Sequence, residues 1–216
     1  DLGIIVFVTA GLNPTYVPPA AVTGPTVCVH TFPLQFALWA EKCERGQHLV
    51  IPEVRQMPPR TLDPRIKTRS RMHWFLADRQ ARQVDPQASA LALDGDGFIT
   101  ETSTGNFFIA DAGGLRTPPP HKSLGGISQR VVRELAEELG LGYEEVDLRP
   151  KDVHRAAEAF TSSTPYCLLP VVRLDGRPIG DGRPGAVFRR LIDAWSGRVG
   201  VEILTQMRGS ISIPVR

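Results

Sequence analysis

The chain has 216 residues, 42% of them hydrophobic and 22% charged, with a formal net charge of +2, enough for one generous domain with a buried core or two small ones. A charge this small, spread along the chain, excludes a dedicated nucleic-acid or membrane surface. With no long apolar run and no signal-peptide pattern, the expectation is a soluble, cytoplasmic domain. Cys28, Cys43 and Cys167 stand at no metal-ligand spacing, and an odd number of isolated cysteines fits a reducing compartment. The chain opens on Asp1 directly into strand-like sequence, from which an earlier segment is expected.

Residues 4–10, Ile-Ile-Val-Phe-Val-Thr-Ala, predict a strand buried on both faces. Residues 11–19 read as loop. Residues 26–32 alternate Val27, Val29 and Thr31 against Cys28 and His30 and read as a second strand, with His30 more simply structural than a ligand. A helix over residues 34–45 stops at Gly46, a third strand covers 48–54, and 57–64, with three prolines, is an extended connection. Lys67 follows on an extended stretch. Met72, Phe75, Leu76 and Arg79 then recur at helical spacing, with Ala77 and Ala81 small enough for close packing, so residues 71–84 read as an amphipathic helix.

Residues 88–93 are a strand, Asp94-Gly95-Asp96-Gly97 a hairpin turn, and 98–101 the returning strand. Strands at 107–110 and 115–117 form a second hairpin across Gly113 and Gly114. Ser123-Leu-Gly-Gly-Ile-Ser128 leads into a helix in which Val131, Leu135 and Leu139 stack and Gly140 is the stop. A strand over 141–148, a short helix over 150–157 and a strand over 159–161 run into Ser162-Ser163-Thr164-Pro165. A strand over 168–174, a turn at Asp175-Gly176 and a helix over 184–195 follow, the helix placing Val187, Phe188, Leu191, Ile192 and Trp195 on one face. Residues 1–196 read as one large domain and 197–216 as a tail, with strand or tail over 201–204 and 211–215 and no functional account.

The chemistry gathers around residues 97–108. Glu101 lies among apolar flanks, Phe98, Ile99, Phe107, Phe108 and Ile109, and a buried carboxylate needs a cationic partner. That partner is either Lys67 or the protonated ring nitrogen of a bound cofactor. The remaining lysines, Lys42, Lys122 and Lys151, sit in polar contexts that predict exposure. Gly125 and Gly126 deliver a turn into a helix N-terminus, which offers N–H groups to an anion but is equally a plain turn. The hydroxyls of residues 161–164 make a second anion corner or, again, a turn. No nucleophile elbow, paired histidines or cysteine motif is present, and no metal is expected. A lysine near a helix start, a carboxylate on a hairpin strand and two phosphate-sized corners fit pyridoxal 5'-phosphate. The lysine would join its aldehyde, the carboxylate would keep its ring nitrogen protonated, and the corners would take its phosphate.

On these residues the sequence resembles the class IV (fold type IV) aminotransferases, a family that includes branched-chain and D-amino acid aminotransferases and aminodeoxychorismate lyase. The resemblance runs from about residue 1 to 195 with motifs in the family's order. It is carried by Lys67 with Ala77-Asp-Arg-Gln-Ala81, by Asp96-Gly97 through Glu101 to Asn106-Phe107-Phe108, and by Thr117-Pro118 with Leu124-Gly-Gly-Ile-Ser-Gln129. Ala157-Glu158-Ala159-Phe160, Thr164 and Pro170-Val171 complete it.

The resemblance implies a mixed α/β fold, the large domain of a fold type IV enzyme, with curled mixed sheets forming a pseudo-barrel and helices outside. It implies Lys67 as the Schiff-base lysine and Glu101 as the partner of the pyridine nitrogen, with Gly126, Ile127, Ser128, Ser163 and Thr164 around the phosphate. Transamination between an amino acid and a 2-oxo acid in a homodimer follows, with burial helping Lys67 to stay partly neutral as a proton carrier. A lyase using the same cofactor and a catalytically silent binding domain are the rival readings. Gln129 stands where the family usually has Arg, Ser128 where it has Thr, and Arg71-Met72-His73-Trp74 departs from its usual residues. Residues 13–17 lack the Arg and His with which D-amino acid aminotransferases grip a carboxylate. The family also carries a smaller domain, with a phosphate-binding arginine, ahead of the position matched by Asp1.

Overall fold

A computed structural model of the chain describes residues 1–13, 15–16 and 24–209, which divide into one unit of Asp1–Gln35 and a second that begins at Phe36. In the first, β1 (Leu2–Thr9) and β2 (Thr26–Pro33) form an antiparallel ribbon with Leu2 opposite Pro33 and Thr9 opposite Thr26. The strand forms as expected, but it is not buried on both faces. Leu2, Ile4, Val6 and Val8 are exposed while Gly3, Ile5 and Phe7 are half-buried. β-Branched residues favour a pleated backbone whatever covers it, so composition signalled the strand and not its burial. Residues 14 and 17–19 of the expected loop lie outside the described residues.

The second unit runs α1 (Phe36–Arg45), β3 (Gln47–Val50), α2 (Met72–Val84), β4 (Ser89–Leu93), β5 (Ile99–Thr102), β6 (Asn106–Asp111), β7 (Gly114–Thr117) and α3 (Ile127–Glu138). It continues through β8 (Tyr143–Glu145), α4 (Pro150–Val153), β9 (Glu158–Ser163), β10 (Cys167–Leu174), β11 (Arg177–Pro178), α5 (Ala186–Val199) and α6 (Ile203–Gly209). Strand β3 lies parallel to both β10 and β4. The β4–β5, β5–β6, β6–β9 and β9–β10 pairs are antiparallel, so the pairing returns to β10 and closes a mixed barrel. Closure removes the free edges that an open sheet would leave. Asp175 and Gly176, both at positive φ (49° and 76°), make the tight turn between β10 and β11, a conformation suited to a two-residue hairpin.

Side chains alternate across the barrel wall. Leu91, Leu93, Ile99, Phe107, Ile109, Val171 and Leu174 fill the interior. Ala90 and Ala92 face outward against Trp74, Ala77 and Ala81 of α2. These small residues let the helix lie close to the sheet. They also correct the expected face of α2, since Met72, Phe75 and Leu76 are exposed and the helix turns its alanines and Trp74 inward. In α3 the buried residues are Ser128, Gln129, Val132, Leu135 and Ala136, so Leu135 packs as expected while Val131 and Leu139 sit at the margin.

The expected strand or tail over residues 201–204 gives way to a helix. Gly200, at φ 68°, ends α5, and the Ser196 hydroxyl accepts the Ile203 N–H at 3.1 Å. Ile203 and Met207 of α6 are buried, and Arg208 reaches Glu44 of α1 at 2.9 Å. Residues 211–215 lie outside the described residues. None of the described helices is long and apolar enough to cross a membrane.

Candidate active site

A cavity of about 370 Å³ opens where the connection before α2, the β5–β6 turn, the start of α3 and the end of β9 meet. Its lining includes the candidate site residues Lys67, Glu101, Gly126, Ile127, Ser128, Ser163 and Thr164, but not Thr161 of the hydroxyl run. These come from four separate stretches of chain, and barrel closure brings them together.

Glu101 lines the cavity from β5. Its residue is only 9% exposed, which pushes its carboxyl up to about 7, because burial penalises the charge. The Leu124 N–H donates to Oε2 at 3.3 Å and Gln56 Nε2 to Oε1 at 3.2 Å. These bonds and the charges of Arg71 and Lys67 pull back toward the ionised form. Among the described residues Glu101 has no ion pair, so Lys67 is not its direct partner. A buried carboxylate held only by N–H donors has capacity left for one more cationic donor.

The turn after Glu101 is tightly specified. Asn106 lies opposite Glu101 across the β5–β6 ladder and donates from Nδ2 to the Leu124 carbonyl at 2.7 Å, tying the strand to the loop before α3. A Cβ at Gly105 would stand 2.5 Å from the Ser162 carbonyl oxygen and 2.6 Å from the Tyr166 hydroxyl. Only glycine lets the turn lie against β9. The Ser163 hydroxyl donates to the Thr104 carbonyl at 2.5 Å, and Ser162 Oγ is buried without a partner among the described residues.

Helix α3 starts at Ile127, with Gly126 as an extended N-cap that supplies no side-chain cap. Its first N–H groups have no acceptor within the helix and, with the helix dipole, offer a place for an anion. Gly126 is required here, since a Cβ would come within 2.2 Å of Asn106 Oδ1. A lysine amine, a buried carboxylate with spare acceptor capacity, a bare helix N-terminus and an orphaned buried hydroxyl together match what a phosphorylated pyridine aldehyde needs. No cluster of side chains among the described residues could hold a metal ion.

The structure separates the lysines in ways the sequence did not. Lys67 is exposed and lines the cavity, whereas the expectation from sequence is burial. Lys122, expected to be exposed, is bound to Asp94 at 2.8 Å and Asp147 at 2.7 Å, stands 4.1 Å from the Phe98 ring centre, and does not line the cavity. Lys42 is half-buried, and burial followed by the charge of Arg82 lowers its pKa. Gln129 is buried and bonded to the Tyr143 side chain beside α3, away from the cavity. Sequence reasoning missed Gln56, Arg71, His73 and Trp74 in the lining. The available signal was the run after Lys67, where Arg71 to Trp74 depart from the resembled pattern.

The closed mixed barrel with outer helices is the fold of solved branched-chain aminotransferases. The family model "Amino-transferase class IV" matches residues 2–174, and the chain belongs to that family. A putative branched-chain-amino-acid aminotransferase of Methanocaldococcus jannaschii is 32% identical over 192 residues, 88% of this chain and 65% of that protein. The branched-chain amino acid aminotransferase structure of Escherichia coli superposes with a TM-score of 0.81 at 30% identity, covering 91% of this chain and 64% of that one. A T.th. branched-chain amino acid aminotransferase with pyridoxamine 5'-phosphate has a TM-score of 0.82 at 24% identity over 92% of this chain and 66% of its own, a likeness of fold. The chain therefore spans about two thirds of the length of these relatives.

Proposed function

We propose that the chain acts as a pyridoxal 5'-phosphate-dependent aminotransferase, moving an amino group between an amino acid and a 2-oxo acid. The observation that carries this reading is the single cavity that gathers Lys67, Glu101, the N-terminus of α3 and the Ser162–Thr164 corner. Family membership supports it, as does the pyridoxamine 5'-phosphate of the T.th. enzyme. When bound, the cofactor supplies an aldehyde that joins amines and a ring that draws electrons from the substrate carbon.

This chain's residues would divide the work as follows. Lys67 Nζ would be the group that joins the cofactor's aldehyde, and its amine would carry a proton to and from the substrate carbon. Glu101 would sit against the ring nitrogen and favour a proton there. The N–H groups of Ile127 and Ser128, beside Gly126, would hold the phosphate together with the hydroxyls of Ser128, Ser163 and Thr164. Trp74 and Leu62 line the same cavity and exclude water from part of it.

The working unit in this reading is a cytoplasmic homodimer. The exposed Met72, Phe75 and Ile66, close in sequence to Lys67, supply apolar surface for a second copy, and the three cysteines are unpaired. Light scattering coupled to size exclusion tests the assembly. Borohydride reduction of the yellow, cofactor-loaded protein, followed by peptide mass mapping, tests the chemistry. The expected result is one modified lysine, Lys67; modification elsewhere, or none, overturns the assignment.

A further inference from the structure

The cavity contains a cation that no step above uses. Arg71, in the first turn before α2, is half-buried and lines the cavity. Its Nη2 donates to the Ser103 carbonyl in the β5–β6 turn, and among the described residues its guanidinium has no carboxylate partner. An arginine carries five N–H donors in a fixed fork suited to paired oxygens. One is occupied here by a neutral carbonyl.

The charges around it are lopsided. Lys67 and Arg71 are the lysine and arginine of the lining, and Glu101 is its one carboxylate. His73 lies beside Arg71, and burial together with that charge lowers its pKa, which leaves it neutral near pH 7. If Lys67 is consumed in holding a cofactor, Arg71 is the remaining fixed positive charge of the cavity. The Ser128, Ser163 and Thr164 corner contributes only neutral donors. Arg71 feels Glu101 only through space, with no direct ion pair among the described residues, so most of its donors are left for an incoming anion.

We propose that Arg71 is an oxyanion anchor, whose unused N–H donors take an anionic group of the small molecules bound in this cavity. The group is the carboxylate of the amino acid and 2-oxo acid or the phosphate of the cofactor. The choice of ligands rests on the aminotransferase reading, but anion binding by Arg71 does not depend on turnover.

The test is calorimetric titration of wild type, Arg71→Gln and Arg71→Lys with inorganic phosphate, with pyridoxal 5'-phosphate and, on the loaded protein, with 2-oxoglutarate. Melting curves confirm that each variant is folded. Loss of one charge-assisted fork is expected to weaken the relevant anion about 10- to 100-fold in Arg71→Gln. Arg71→Lys, which keeps charge but not the fork, recovers part of the loss. Weakened phosphate and cofactor binding identifies the phosphate as the occupant. Unchanged cofactor binding with weakened 2-oxoglutarate binding identifies the carboxylate. Arg71→Gln binding every anion as wild type does, or a wild-type chain that takes up none of them, overturns the anchor. Cofactor held on Lys67 with affinities insensitive to Arg71 sinks the anchor and leaves the aminotransferase reading standing. Phosphate bound through Arg71 without any cofactor linkage does the reverse.

Discussion

Asn106 Oδ1 occupies the space that a Cβ on Gly126 would need, at 2.2 Å from its ideal position. One side chain thereby fixes two parts of the cavity. Asn106 sits opposite Glu101 in the ladder, and its amide holds Leu124, whose own N–H reaches Glu101.

Gly126→Ala should therefore displace Asn106 and loosen both the N-terminus of α3 and the Glu101 hydrogen bonds. Overpacking of this kind costs about 1–3 kcal/mol, read as a lower melting temperature, together with weaker phosphate binding by titration. Gly125→Ala is the control, since nothing lies within 4 Å of a Cβ built there. Equal behaviour of the two variants would remove Asn106 from the argument.

Much of this arrangement was legible in the sequence, and the parts that were not have physical causes. The strands and helices of the second unit followed from periodicity and from Gly-containing turns such as Asp175-Gly176. The cavity residues were legible because Glu101 is a carboxylate among apolar flanks, the turn before α3 and the Ser162–Thr164 run are small polar corners, and Lys67 stands near a helix start, in the order of the resembled family's motifs. What failed was burial. The run at residues 4–10 lies in an exposed ribbon, and α2 packs by alanines rather than by Met72 and Phe75, because local sequence sets conformation while the partner surface decides which face is covered. Lys122 was misread for the same reason, its partners Asp94 and Asp147 being distant from it in sequence.

The packing of α2 yields a paired prediction. Ala81 is fully buried against the alanines of β4, so Ala81→Leu should cost about 1–3 kcal/mol by overpacking. Phe75, 59% exposed, should tolerate Ser within about 0.5 kcal/mol in thermal melts of the dilute protein. If Phe75→Ser is the more destabilising of the two, the face assigned to the core is wrong.

Lys67 and Lys122 should separate cleanly. Lys67→Ala, at an exposed position, should leave the melting temperature of cofactor-free protein nearly unchanged. It should also abolish the absorbance of lysine-bound cofactor and lower turnover by about 10²–10⁴-fold or more. Lys122→Ala leaves Asp94 and Asp147 without their shared cation and should cost about 1–3 kcal/mol of stability. Turnover per folded molecule should stay as in wild type. Spectra, melts and rates on the same preparations decide it, and exchanged behaviour of the two variants would reassign the lysine.

Glu101 links stability to pH in the opposite sense from a salt-bridged carboxylate. Its carboxyl is raised from the ordinary 4.5 to about 7, first by burial, so the folded, cofactor-free protein binds this proton more tightly than the unfolded chain. Stability from this group is complete below about pH 4.5, declines as the pH rises toward 7, and is fully lost above it. The penalty at pH 8 is about 3 kcal/mol. Glu101→Gln removes that penalty while keeping the shape of the side chain and an acceptor for the Leu124 N–H. The variant should therefore melt higher than wild type at pH 8, with the gap closing toward pH 5. The same change takes away the charge that would hold a proton on the cofactor's ring nitrogen, so turnover should drop steeply with cofactor still bound. A structural ion pair predicts the reverse pattern, in which removing the carboxylate strands a cation and destabilises the fold by about 3–5 kcal/mol. Melting temperature across pH 5–8 and turnover at pH 8, measured on one preparation, separate the two. A variant that melts lower at pH 8 yet turns over normally would overturn the role given to Glu101.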